Sequence, residues 1–323
     1  MTTSKPGGVS AEELAWKRYR AWAKTARQLK SAHERSYRWV TGLSLLGAIA
    51  GIIAHQIGTP AVPAPAPAPA VSGVNHGVAV MSALCVAVST YLAAKLLGKE
   101  RETQWVQARG IAEAIKSQLY LYWMRVEPYQ ESSAEAPNPD MQLIAKVQAL
   151  EKTEKDLHRE EPTEEEMKAS PVKAAKTIED YIKLRITDQI AWYRKGVTTH
   201  QTRMRNYQVL GIFLGLIGTV LGVFGATDSG ARLVGWVAVV STAAMGVAGL
   251  ATAGRHQYLV ATYRSAADQL EYLLGMWTGS KREQADDRRL VIESEATLRA
   301  ENSAWVAENS TPVSAPEAQK PKD

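Results

Sequence analysis

The chain has 323 residues, 46% apolar and 22% charged, with a formal net charge of +5 and a single cysteine; its pI is near 9.1 and its mean hydropathy is -0.21. One thiol, Cys85, excludes an internal disulfide and any cysteine-based metal cluster, and reads as a small apolar residue packed between helices. A basic excess ordinarily raises nucleic acid as a partner, but here Lys and Arg gather beside apolar stretches, a placement that suits anionic lipid and excludes a DNA groove as the first expectation.

In chain order, residues 1–8 read as disordered, and residues 11–39 as a helix rich in Ala, Glu, Lys and Arg with Trp16, Tyr19, Trp22, Tyr37 and Trp39 along it. Four stretches without Asp, Glu, Lys or Arg follow, at 40–54, 78–94, 209–226 and 233–253. A hydrocarbon core about 30 Å thick needs roughly 20 apolar residues at a rise of about 1.5 Å each, and flanking residues such as Ile57, Leu96 and Leu97 extend the shorter two. The spans predicted are 40–57, 76–97, 208–226 and 233–253. A soluble bundle is the alternative, but four charge-free stretches are hard to obtain in amphipathic helices. The fold class expected is an all-α membrane protein of four transmembrane helices, arranged as two hairpins with cytoplasmic helical extensions.

The first hairpin loop carries a Pro-Ala run at 60–70, which predicts an extended polyproline-II spacer. Residues 96–126 continue the second span with Trp105, Ile111, Ile115, Leu119 and Tyr122 at near-helical spacing, and residues 254–277 do the same after the fourth. Such extensions are expected to stack as a cytoplasmic bundle. Between the hairpins, the Pro-containing stretch 127–171 reads as a linker, with a short helix expected at 141–157 and the acidic run 160–166 read as solvated chain. Residues 311–323 read as a disordered tail.

The chain contains itself twice. Residues 37–42 align with 206–211 at an offset of 169, while Arg109, Ala112, Glu113 and Ile115 after the second span align with Arg264, Ala267, Asp268 and Leu270 at an offset of 155. One insertion, falling in the loop that holds the Pro-Ala run, accounts for the difference. The modules read from this are 11–126 and 176–310, joined by a linker at 127–175.

Charges beside the spans set orientation. Lys30, Arg35, Arg38, Lys95, Lys99 and Arg101 flank the first hairpin, and Arg194, Lys195, Arg203, Arg205, Arg255 and Arg264 flank the second, whereas residues 55–77 hold no Lys or Arg. The positive-inside rule then puts both termini and the middle segment in the cytoplasm, with the protein in the cell inner membrane. Some 39 largely polar residues before the first span leave no apparent cleavable signal.

Within the third span, Gly211, Gly215, Gly218, Gly222 and Gly225 are spaced 4, 3, 4 and 3, which places them along one helix face. Small residues at this spacing let backbones approach closely in lipid, so the stripe reads as a packing face first and a pore lining second. No apolar stretch carries an ionisable group other than the loop-edge His55, which argues against an ion-coupled transporter and leaves a pore lined by hydroxyls such as Ser89, Thr90, Thr219, Ser241 and Thr242 admissible. Each hydroxyl is more simply bonded to its own helix. No metal-ligand, phosphate-loop, nucleophile-elbow or kinase motif occurs, and the six histidines have no i, i+4 pairing. An enzyme and a cofactor are therefore not expected.

Tyr181, Leu184 and Arg185, then Gln189, Trp192, Tyr193 and Lys195 before a hairpin, and Tyr263, Arg264, Ala267, Asp268, Leu270 and Glu271 after it, resemble the SLATT superfamily, a two-transmembrane effector domain. Trp105, Arg109, Ala112, Glu113, Ile115 and Lys116 behind the first hairpin resemble a second copy. The resemblance implies an oligomeric effector of bacterial conflict systems that perforates or depolarises the inner membrane when a separate nucleotide-sensing or nucleotide-producing protein signals to it. It also singles out Arg109 with Glu113 and Arg264 with Asp268, which stand at i, i+4 and read either as helix-surface ion pairs or as docking contacts. The competing class is a non-conducting membrane scaffold for a soluble partner.

Overall fold

The computed structural model describes residues 9–58, 69–96, 99–130, 138–153, 157–227 and 233–310. Helices α1 (Ala11–Gly58), α2 (Pro69–Leu96), α3 (Lys99–Trp123), α4 (Pro139–Lys152), α5 (Glu164–Ala169), α6 (Ile178–Tyr181), α7 (Asp188–Gly225), α8 (Val234–Ala253), α9 (His256–Gly279) and α10 (Gln284–Ser310) are joined by turns, with a π-helical segment at Ile182–Thr187 between α6 and α7. Among the described residues there is no strand. Four helices are long and apolar enough to cross a membrane, and they carry the four expected spans.

Local chemistry explains the boundaries. The α1 start is a reciprocal cap, in which the Ser10 hydroxyl accepts from the Glu13 amide while the Glu13 carboxylate accepts from the Ser10 amide. Helix α2 begins at Pro69, within the expected polyproline stretch, because proline fits the first helical turn, where no amide partner is needed; residues 60–68 of that stretch lie outside the described residues, as do both expected disordered ends. The extension after the fourth span is a separate helix. Gly254 and Arg255, the latter at φ 42°, close α8, and α9 starts anew. The linker helix is α4, capped by Asn138 with Pro139 in its first turn, and ends at Lys152.

The acidic run is not simply solvated. Thr163 and Glu166 form a capping box that nucleates α5, and Glu166 and Glu161 reach α1, where they pair with Lys24 at 3.0 Å and Arg18 at 3.3 Å. The Trp22 indole, itself buried, donates to Glu151 on α4 at 2.9 Å. Each exposed pair is worth under about 1 kcal/mol; buried Trp22 provides the stronger anchor at this joint.

Contacts divide the chain into two compact units, one from residues 1–31, 99–193 and 265–323, the other from 32–98 and 194–264. The first, the polar unit, has a conventional core that includes Ile115, Leu119, Leu143, Ile186, Leu270 and Val291, all 3% exposed or less. The second, the span unit, is inverted. Trp39, Ile212, Leu216, Val223 and Phe224 are more than 60% exposed, which is the arrangement of helices whose solvent is hydrocarbon.

Inside the span unit, small residues set the helix contacts. A Cβ on Gly47 would lie 2.9 Å from Val86 Cγ2, and the Ser82 hydroxyl donates to the Gly47 carbonyl at 2.7 Å, locking α1 to α2. Helices α1 and α8 run antiparallel through Tyr37 beside Gly249, Thr41 beside Gly246 and Ile52 beside Gly235, each 3.3 to 3.6 Å from where a Cβ on the glycine would stand. The two hairpins thus meet through α1 and α8.

Candidate functional site

Two features are built from residues that the sequence singles out, one in each unit. In the polar unit, the π-helical turn Ile182–Thr187 presents Arg185, which is 1% exposed. Such turns recur at functional positions because one extra residue re-aims the side chains that follow. Arg185 Nε and Nη2 donate to the two oxygens of Glu295 on α10 at 2.9 and 3.0 Å, and the Tyr181 hydroxyl donates to the same carboxylate at 3.2 Å. The guanidinium carbon lies 5.0 Å from the centre of the Tyr120 ring, and Nη1 is 3.6 Å from Glu113. Glu295 is fully buried.

Electrostatics favour the charged forms of Arg185 and Glu113. Burial presses the Arg185 pKa down, but Glu295 outweighs it, so the guanidinium is held above its ordinary value. Burial likewise lifts the Glu113 carboxyl, and Lys116, Arg185 and Arg109 more than reverse this, leaving it below the ordinary carboxylate value. Burial pushes the Tyr120 hydroxyl up to about 12 against the pull of Arg185. A buried pair of this kind adds little net stability over an apolar filling, yet a single loss strands its partner.

The structure brings four of the sequence-selected residues to this region. Glu113 faces Arg185; the Arg109 guanidinium sits 5.3 Å from the centre of the Trp192 ring; and Tyr193 donates to Glu301 on α10 at 3.2 Å. Arg264 and Asp268 lie exposed on α9, outside the buried cluster. Glu295 and Glu301 were not legible as site residues, since α10 lies some 110 residues from Arg185 and carries no motif; the charge pattern of α10 signals only an ordinary helix.

In the span unit, the glycine stripe has two edges. A Cβ on Gly218 would lie 3.7 Å from Val240 Cγ1, and one on Gly225 would lie 2.8 Å from Val234 Cγ2 and 3.3 Å from its backbone nitrogen, so this edge packs on α8. Gly211, Gly215 and Gly222 have nothing within 4 Å of a Cβ position. The stripe therefore closes the hairpin with one edge and leaves the other uncovered.

Beyond the spans, His200 on α7 and His256 at the start of α9 place their Nδ1 atoms 2.7 Å apart, with Tyr207 stacked on His256 at 5.7 Å and Tyr263 edge-on to His200 at 5.9 Å. This contact requires one ring to be neutral and accept. His256 is 5% exposed, and burial followed by the Arg203 charge lowers its pKa. A depressed folded-state value means that His256 contributes stability above the ordinary imidazole pKa near 6.5, and that this contribution is lost as pH falls through the folded value. Melting of the detergent-solubilised protein is accordingly expected to weaken between pH 7.5 and 5.5, with a smaller drop in His256→Gln; an equal drop in both would remove the histidine from the account.

These features define an all-α, multi-pass membrane protein with a separately packed polar helical unit. Residues 181–305 match the family described as SMODS and SLOG-associating 2TM effector domain 1, supporting the SLATT superfamily for the second half. Residues 20–136 match DUF4231, a family of unknown function. No curated protein and no solved structure matches the chain.

Proposed function

We propose that this protein is a non-enzymatic, pore-forming membrane effector of a bacterial conflict system, opened by a separate cytoplasmic sensor or nucleotide signal. It sits in the inner membrane as a homo-oligomer, with both termini and the polar unit cytoplasmic as the flanking Lys and Arg require. The observation that carries the reading is the uncovered glycine edge of Gly211, Gly215 and Gly222 on a span inside the match to a two-span effector family. Backbone that a single chain leaves open to this extent favours the close approach of a second helix.

Two tandem SLATT copies are part of the same proposal. The two family matches fall on the two modules, and the offset of 155 pairs buried with buried: Ala108 with Tyr263, Ile111 with Ala266, Ala112 with Ala267, Ile115 with Leu270. Ordinary helices of unrelated origin have no reason to keep four burial positions in phase.

The test is ion flux from liposomes holding the purified full chain, read with a potential-sensitive dye, with and without its cytoplasmic partner. Flux on addition of the partner supports a pore. Silence when the partner demonstrably binds favours a non-conducting scaffold.

A further inference from the structure

We propose that the polar unit carries a binding site for a phosphate-bearing small molecule, in the groove between the end of α3, the segment before α6 and the first turns of α10. The groove measures about 480 Å³, a size typical of small-molecule sites. Three cations line it from three separate elements: Arg125 from the turn after α3, Lys176 from the approach to α6, and Arg288 from α10. The groove has one carboxylate, Asp287, and that group is already engaged, accepting the Trp277 indole at 2.7 Å.

No side chain of the three cations makes an ion pair among the described residues. Elsewhere in the unit Arg18, Lys24, Arg159 and Arg185 are matched to carboxylates. Three cations against one carboxylate make the groove wall net positive, which favours an anion.

Arg125 is also held in place. It is the left-handed residue that closes α3 at φ 50°, its amide donating to the Tyr122 carbonyl and the Val126 amide to that of Leu121, both at 3.2 Å, and its guanidinium packs 4.8 Å over the Tyr122 ring. Gln130, Gln284 and Thr177 add neutral donors along the wall.

Chemistry selects among anions. A tetrahedral phosphate accepts hydrogen bonds from several directions and pairs with arginine in two-point fashion, whereas a carboxylate accepts in one plane and carries a single charge. A groove of this volume exceeds inorganic phosphate, which leaves room for an organic group on the ester. Free phosphate esters and lipid headgroups share this chemistry. The assignment does not rest on the pore reading.

Equilibrium dialysis of the full chain in detergent against labelled pyrophosphate at low salt tests the site. Saturable binding at one per chain is expected, weakened about tenfold or more by Lys176→Gln or by Arg288→Gln and left unchanged by Arg289→Gln, whose side chain is exposed and paired with Glu293. Matching circular dichroism melts exclude misfolding as the cause. Displacement by adenosine monophosphate but not by dihexanoyl phosphatidic acid assigns a free ester, and the reverse assigns a lipid headgroup. Absence of saturable binding, equal affinity in the Lys176→Gln/Arg288→Gln double variant, or displacement by neither competitor overturns the proposal.

Discussion

Arg185→Met is expected to cost the polar unit roughly 3–5 kcal/mol, because it leaves the Glu295 carboxylate buried without its counter-charge. Glu295 is 0% exposed and accepts three hydrogen bonds, two of them from Arg185, so loss of Arg185 leaves a buried carboxylate with a single donor. Glu295→Met should be comparably damaging, since it leaves the Arg185 guanidinium buried without its carboxylate partner. The double variant Arg185→Met/Glu295→Met removes both charges at once and should recover much of the loss, giving a large coupling energy in a double-mutant cycle. Tyr181→Phe removes only one hydrogen bond to the carboxylate and should cost about 1 kcal/mol. Denaturation of the detergent-solubilised chain, followed by near-ultraviolet circular dichroism of the polar unit's aromatics, gives all four values. If Arg185→Met melts with the wild type, or if the double variant is as damaged as the two singles combined, the buried pair does not hold the unit together.

The membrane part of this architecture was legible because hydrocarbon imposes a rule that sequence states openly: about 20 residues without charge. Four helices are long and apolar enough to satisfy that rule. Where local chemistry intervenes, the reading shifted. Pro69 starts a helix instead of continuing an extended run, and Arg255 at positive φ separates α9 from the fourth span. The polar cluster was half legible. Glu113, Arg185 and Tyr193 lie in segments that resemble a family motif, but their carboxylate partners Glu295 and Glu301 come from α10, whose pattern of charges is that of any exposed helix. His200 and His256 show the same limit, because a contact spanning 56 residues leaves no spacing to read. Such partners are chosen by tertiary packing, and periodicity reports only which face of a helix is buried.

Gly225→Leu and Gly222→Leu, three residues apart on one face, are expected to fail in different ways. A Cβ at 225 would press on Val234 Cγ2 and on the Val234 backbone nitrogen, and backbone cannot yield as a flexible side chain does. Gly225→Leu should therefore open the second hairpin and yield aggregated or protease-sensitive protein, a loss in the range of about 1–3 kcal/mol or more that accompanies overpacking. At 222 nothing stands within 4 Å, so a leucine leaves the chain's own fold intact and acts only on what approaches from outside. If that visitor is a second copy, Gly222→Leu and Gly215→Leu should shift the cross-linked species toward monomer and reduce dye-reported flux by about tenfold or more, while melting as the wild type does. Unchanged size and flux in both variants would mean that the open edge faces only lipid and that assembly, where it occurs, uses another surface. Gly218 is the intermediate case, since a Cβ there would stand 3.7 Å from Val240 Cγ1: that is ordinary contact, but the outer atoms of a leucine would reach α8, so an effect on flux at 218 alone would mix hairpin strain with assembly, and the comparison of 222 with 225 separates them.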